Sequence, residues 1–194
     1  MMCLKSDPDS CTKAAALLRE GKILILPTDT VYGFSGIVDT PSSGTSFHTD
    51  DRIRKIKGRE GTKPLIQLIA SPGDIRLYTD DLIPKQLLEK WPGALTIIVR
   101  NSLTSGRVGT TAYRCPGDLW LRRVISLCGG PIYSTSVNRS GFPVLDTVSG
   151  IVHEFEAETD LIITAGDTEG ALPSTLVSVE GGSVRILRQG NVMI

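Results

Sequence analysis

Apolar positions along the chain switch between a helical period and short unbroken runs, and the switches mark out the elements. From Ser10, apolar residues at Ala14, Leu17 and Leu18 recur at helical spacing until Gly21, and Lys22 to Leu26 follow as an apolar run. The chain is therefore expected to open with a helix, capped by Asp9 or Ser10, and then a buried strand. Asp50 to Gly58 reads as a short capped basic helix, Pro64 to Ala70 as a strand and Pro84 to Trp91 as a helix. Leu95 to Arg100 and Val108 to Arg114 suit strands, Asp118 to Cys128 a helix, and Ile132 to Ser136 another strand. A helix over Thr147 to Glu156 and strands at Leu161 to Thr164, Thr175 to Val179 and Val184 to Leu187 complete the pattern.

Interleaved helices and apolar strands predict an α/β domain. The last two strands are joined by Glu180-Gly-Gly-Ser183, too short for a crossover, so they pair antiparallel and the sheet is mixed. At 194 residues the chain fits one domain over 1–194. It shows no internal repeat or linker, and Thr40 to Ser46 reads as a polar surface loop.

Composition changes this picture little. Hydrophobic residues make up 40% and charged ones 22%, as in soluble globular proteins. Lys plus Arg and Asp plus Glu balance at 21 each, so any anion-binding surface must come from segregation of charge. Cys3, Cys11, Cys115 and Cys128 lack the spacing of a zinc site or a disulfide framework, which points to a reducing compartment. No apolar run approaches the length of a signal peptide or a membrane span, so a cytoplasmic protein is expected, with no membrane partner. His48 and His153 fall near no Ser or Cys motif, which gives no hydrolytic triad and puts both on the surface. Trp91 and Trp120 sit in apolar helices and are expected in the core.

Three segments could carry chemistry. Pro27-Thr-Asp-Thr-Val-Tyr-Gly33 follows a buried strand, where α/β folds place ligands, and Thr28, Asp29, Thr30 and Tyr32 offer polar groups for a small zwitterion. The same residues also suit a capped turn from strand to helix. Lys57-Gly-Arg-Glu-Gly-Thr-Lys-Pro64 sets three cations among glycines and could grip a polyphosphate, or could be the solvated end of a basic helix that includes Arg52, Arg54 and Lys55. Ser134-Thr-Ser-Val-Asn-Arg-Ser-Gly141 packs hydroxyls and an amide into the turn leaving a strand, suited to cradling phosphate or to satisfying its own backbone.

Taken in order, PTDTVYG, KGRxxxKPL, WPGALT, YRCP, STSVNRSG, PST and RxG resemble the YrdC family of threonylcarbamoyl-AMP synthases, from about Lys22 to Gly190. The resemblance implies a twisted mixed sheet flanked by helices, with a large concave cleft. It implies synthesis of threonylcarbamoyl-AMP and pyrophosphate from L-threonine, bicarbonate or CO₂ and ATP with Mg²⁺, for threonylcarbamoyladenosine modification of tRNA. By similarity Thr30, Tyr32, Arg114, Ser134 and Ser174 would meet threonine, with Tyr32 lining the cleft. Lys57, Arg59, Lys63, Thr110, Ser136, Asn138, Val144 and Arg188 would hold ATP, with Lys57 and Arg59 acting in catalysis and no resident metal ligands. A separate transferase complex would receive the product, and tRNA contact is an added expectation. Glu60 stands where the family usually has proline, Leu68 where some members carry histidine, Val137 where many carry alanine, and the Thr40 to Thr49 loop is longer than usual. The rival readings are a double-stranded RNA or tRNA-binding module, suggested by the basic run, and a catalytically weakened ATP-binding regulator of the same fold, suggested by Glu60.

Overall fold

The structure, a computed structural model, describes residues 1–39, 46–59, 64–102 and 109–194. Its elements in chain order are β1 (Met2–Leu4), α1 (Ser10–Arg19), β2 (Leu24–Leu26), β3 (Gly33–Ile37), α2 (Thr49–Lys57) and β4 (Ile66–Leu68). After a 3₁₀ turn over Pro72–Leu77 come α3 (Lys85–Leu88), β5 (Leu95–Arg100), β6 (Thr110–Arg114), α4 (Leu119–Cys128) and β7 (Ile132–Ser136). The chain continues through α5 (Val148–Phe155), β8 (Leu161–Thr164), β9 (Thr175–Ser178) and β10 (Arg185–Arg188).

These strands form one 10-stranded sheet in the order β1-β8-β2-β3-β7-β4-β6-β5-β9-β10. Pairings are parallel for β1·β8, β2·β8, β4·β6 and β5·β9, and antiparallel for β2·β3, β3·β7, β4·β7, β5·β6 and β9·β10. The sheet is therefore mixed, and its carboxyl-terminal pair is antiparallel, both as expected from the sequence.

Two expectations about the start of the chain do not hold. A strand, β1, precedes the first helix, and neither Asp9 nor Ser10 caps α1 with its side chain; the Ser10 hydroxyl donates to the Lys5 carbonyl instead, at 2.8 Å. The sequence pattern also misses β3, because Gly-Phe-Ser-Gly-Ile contains two glycines that weaken any strand signal. Residues 40–45 of the loop predicted over Thr40 to Ser46, and Val108 at the predicted start of β6, lie outside the described residues.

Residues paired across neighbouring strands project to the same side of a sheet, so the register assigns its two faces. Leu24, Leu26, Leu68, Ile132, Leu161 and Ile163 lie on one face and pack under α1 and α4. The opposite face is covered over its central strands. Ile25, Phe34 and Ile162 bury under α2 and α5, and Ile97, Tyr113 and Val177 pack with Leu87 and Trp91 of the α3 region. Trp120 is half-buried against the α1/α4 layer and Trp91 is 5% exposed, while His48 and His153 are exposed, as expected.

The N-terminus of α4 shows how the first face is anchored. Asp118 accepts the Leu121 amide at 2.8 Å and pairs with Lys5, which ties the helix start to the segment after β1. Asp118→Ala is expected to lower the unfolding free energy by about 1 kcal/mol, read by urea denaturation with an unchanged slope against denaturant.

Candidate functional site

Continuing the register past the α1/α4 layer leaves a row of small and polar side chains on that same face. Ser134 pairs with Ser35 and Ile66, Ile66 with Ala112, and Ala112 with Ile98, while Ser136 pairs with Gly33. By alternation Arg114, Thr110 and Thr96 share this side, and Thr96 is paired with Leu176, which in turn pairs with Arg188. Residues from five separated motifs thus converge on one face near the strand ends. Gly33 leaves room there for the Ser134 hydroxyl, which a Cβ would meet at 2.7 Å.

Arg114 is the centre of this arrangement. Its guanidinium is 5% exposed, donates to the Gly93 carbonyl at 3.1 Å and to Thr30 Oγ1 at 2.9 Å, and pairs with Asp29. The other Asp29 oxygen accepts the Gly117 amide at 2.8 Å, so one carboxylate joins the 27–33 loop to the end of β6 and the approach to α4. Thr28 Oγ1 donates to the Val31 carbonyl at 2.8 Å, and its 3.0 Å contact with Thr30 Oγ1 is therefore donated by Thr30. Thr30 is left accepting from Arg114, its hydroxyl orientation settled by the loop.

Across the same face, the Thr96 and Ser174 hydroxyls lie 2.7 Å apart, both buried. Arg188 donates to the Ser174 carbonyl at 2.9 and 3.1 Å and to its hydroxyl at 3.3 Å. Among the described residues Arg188 has no carboxylate partner. Burial holds the Arg188 pKa below its ordinary range; burial does the same for Arg114, with Arg188 adding to it and Asp29 opposing. Two guanidiniums in electrostatic reach of each other, with a carboxylate on Arg114 alone, form a site poised for an anion. Gly190 permits this packing, because a Cβ there would lie 2.3 Å from the Pro173 carbonyl.

The turn after β7 is held from the other side of the sheet. Lys57, at the end of α2, donates to the Ser136 carbonyl, to the Asn138 carbonyl at 3.0 Å and to Asn138 Oδ1 at 2.9 Å. Burial, helped by the nearby charge of Arg59, lowers the Lys57 ammonium to about 8. Arg59 reaches β7 at Thr135 Oγ1, 3.5 Å away, on the strand side opposite to Ser134 and Ser136. Val144 is brought beside the turn by the Leu145 amide, which donates to the Val137 carbonyl at 2.9 Å.

Of the residues expected from sequence, Thr30, Arg114, Ser134, Ser174, Thr110, Ser136 and Arg188 therefore share one face. Asn138 and Val144 border it, and Lys57 and Arg59 approach from behind. Lys63 and Glu60 lie outside the described residues. Tyr32 is a correction: it is fully buried in the α2/α5 layer, its hydroxyl donating to the Gly166 carbonyl at 2.7 Å and accepting the Ala165 amide at 2.8 Å. It sits one residue before Gly33, so alternation turns it away from the cleft. Asp29's ion pair and Thr96 are the functional features that the sequence reading did not resolve. Thr96 was legible as part of the WPGALT match, but its partner Ser174 is 78 residues away. A separate groove of about 320 Å³ between the 3₁₀ turn and the end of α4, lined by Ile69, Tyr78, Ile125 and Pro131, contains none of the site residues.

The chain belongs to the Sua5/YciO/YrdC family: the family described as "Telomere recombination" matches residues 16–190. It is 30% identical over 188 residues to a threonylcarbamoyl-AMP synthase of Pyrococcus abyssi, covering 92% of this chain and 53% of that protein. It is 29% identical over 196 residues to a threonylcarbamoyl-AMP synthase of Shigella boydii, covering 94% of this chain and 96% of that one. The fold matches the crystal structure of P. abyssi Sua5 complexed with L-threonine with a TM-score of 0.80 and 28% identity, over 94% of this chain and 54% of that chain. The chain thus spans about half the length of the P. abyssi and Bacillus subtilis relatives that it matches.

Two measurements follow from the charges. Asp29→Ala leaves a buried guanidinium without its carboxylate and is expected to destabilise the fold by about 3 to 5 kcal/mol in equilibrium unfolding. Lys57 releases its proton near 8 when folded and near its ordinary 10.5 when unfolded, so the unfolded chain binds more protons between these values. Stability measured relative to Lys57→Met should therefore rise with pH across that interval; a fall would contradict the assigned environment.

Proposed function

We propose that this chain is a threonylcarbamoyl-AMP synthase, forming threonylcarbamoyl-AMP and pyrophosphate from L-threonine, bicarbonate or CO₂ and ATP. The observation that carries this reading is the pairing of two cation sites on one open sheet face. Arg114 with Thr30 suits the carboxylate of an amino acid, and Arg188, hydrogen-bonded to Ser174 and lacking a carboxylate partner among the described residues, suits a nucleotide phosphate. Ser134, Ser136 and Thr110 lie on the same face and supply further hydroxyls.

In this reaction the threonine amine first captures bicarbonate or CO₂ as a carbamate. A carbamate oxygen then forms a bond to the α-phosphorus of ATP while the bond to the β-phosphate oxygen breaks, and pyrophosphate leaves with that electron pair. Both reactants are anions, so bringing them together is the main task of the protein. Arg114 anchors the amino acid at one end, and the cation Arg188 offsets repulsion and charge moving onto pyrophosphate. Mg²⁺ supplies further charge neutralisation. Among the described residues no three His, Cys, Asp or Glu converge, and Asp29 is engaged by Arg114 and Gly117, so the ion fits as part of Mg–ATP, held by phosphate oxygens.

The unstable adenylate calls for a consumer, which we assign to a separate transferase that moves the threonylcarbamoyl group onto tRNA; direct tRNA contact by the basic face of α2 belongs to the same proposal. Among the described residues no helix is long and apolar enough to cross a membrane.

The test is pyrophosphate release with threonine, bicarbonate, Mg²⁺ and ATP, each omitted in turn. Release is expected only in the complete mixture, and Arg188→Ala should lower turnover by roughly two orders of magnitude. Release that ignores threonine, or that survives in Arg188→Ala, would contradict the assignment.

A further inference from the structure

We infer that Lys57 is a positioning residue that fastens the 136–140 turn, and not a ligand of the nucleotide. The inference rests on the proposed function for its catalytic consequence, and on geometry for its substance. An ammonium has three protons, and those of Lys57 meet three acceptors: the Ser136 carbonyl, the Asn138 carbonyl at 3.0 Å and Asn138 Oδ1 at 2.9 Å. Nothing is left to donate to a phosphate. The backbone carbonyl of the same residue accepts the Ser140 amide at 2.7 Å, so Lys57 grips the turn at both ends. Its side chain is 3% exposed and its Nζ lies 5.4 Å from the Phe34 ring centroid, in the layer behind the sheet.

Asn138 carries the constraint to the cleft. Its Oδ1 also accepts from the Ser136 hydroxyl at 2.8 Å, and its Nδ2 donates to the Arg139 and Phe142 carbonyls, each at 2.9 Å. Every hydrogen-bonding position of the amide donor is therefore committed within the protein. Lys57 orders Asn138, Asn138 orients the Ser136 hydroxyl and the segment up to Phe142, and these groups border the substrates. Three oxygens converging on one point suit the compact ammonium of lysine and do not suit the planar fork of arginine. This gives the two roles opposite expectations for one substitution.

A phosphate ligand at position 57 would tolerate arginine, which binds phosphate oxygens at least as well as lysine. A fastening residue would not. Lys57→Arg is expected to lower pyrophosphate release by about 100-fold through misplacement of the turn. In the ligand-free protein, amides of residues 137–140 should exchange with solvent at least about tenfold faster in Lys57→Arg. Asn138→Ala, which keeps Lys57 in place, should show the same faster exchange and guards against a Lys57 variant that does not fold. The double variant Lys57→Met with Asn138→Ala should be within about threefold of the worse single variant, since both act through one unit.

Near-normal turnover in Lys57→Arg, unchanged exchange in Asn138→Ala, or fully additive losses would each overturn the inference. If the wild type releases no pyrophosphate, the proposed function fails, while the exchange measurements still decide the role of Lys57.

Discussion

A buried guanidinium must be paired, and the site is arranged around that requirement at Arg114. The side chain leaves the end of β6 into a space that is 5% exposed, where an uncompensated charge would cost several kcal/mol. Asp29 and Thr30 of the 27–33 loop and the Gly93 carbonyl of the turn before β5 meet it. Satisfying one charge therefore draws two loops to the end of β6 and holds them there. The same pairing is incomplete by design of its surroundings, because Arg188 stands close enough to press on Arg114 while the Asp29 carboxylate is shared with the Gly117 amide. The surplus of positive charge on this face is what an anionic substrate completes.

The sheet supplies the second constraint. Helices cover the central strands of its far face, whereas α1 and α4 cover the near face over part of its width. Where their cover ends, the side chains change from Leu and Ile to Ser, Ala, Thr and Gly at the same register positions. Substrate space and hydrophobic core are thus consecutive stretches of one face. Lys57 and Arg59, placed behind β7, act on this space through the strand and its turn.

Much of the fold was legible in the sequence because its central strands and α4 and α5 have strong periodic patterns and clear caps. Leu95 to Arg100, Ile132 to Ser136 and Leu161 to Thr164 have the boundaries that their apolar runs imply. The glycine-rich β3 was not legible, since Gly33 serves close approach to Ser134 of β7 and Gly36 close approach to Thr49 of α2, and neither favours a strand by propensity. Within the site, motif order identified Thr30, Arg114, Ser134, Ser174 and Arg188 but carried no information about direction. Tyr32 differs from Gly33 by one position, and that single step of alternation sends its ring into the core. Lys57 was legible as a cation near phosphate, but the three carbonyl groups that occupy it lie 79 to 81 residues away in the chain. Partners at that separation are set by topology, which motif spacing does not encode.

The central claim is that one face of the sheet holds an amino acid at Arg114 and a nucleotide at Arg188 in adjoining positions. A crystal structure of this chain with L-threonine and a non-hydrolysable ATP analogue tests it most directly. The threonine carboxylate is expected on Arg114 beside Thr30, with the nucleotide phosphates between Ser136 and Arg188. Threonine bound elsewhere, or a nucleotide seated away from Arg188, would contradict it.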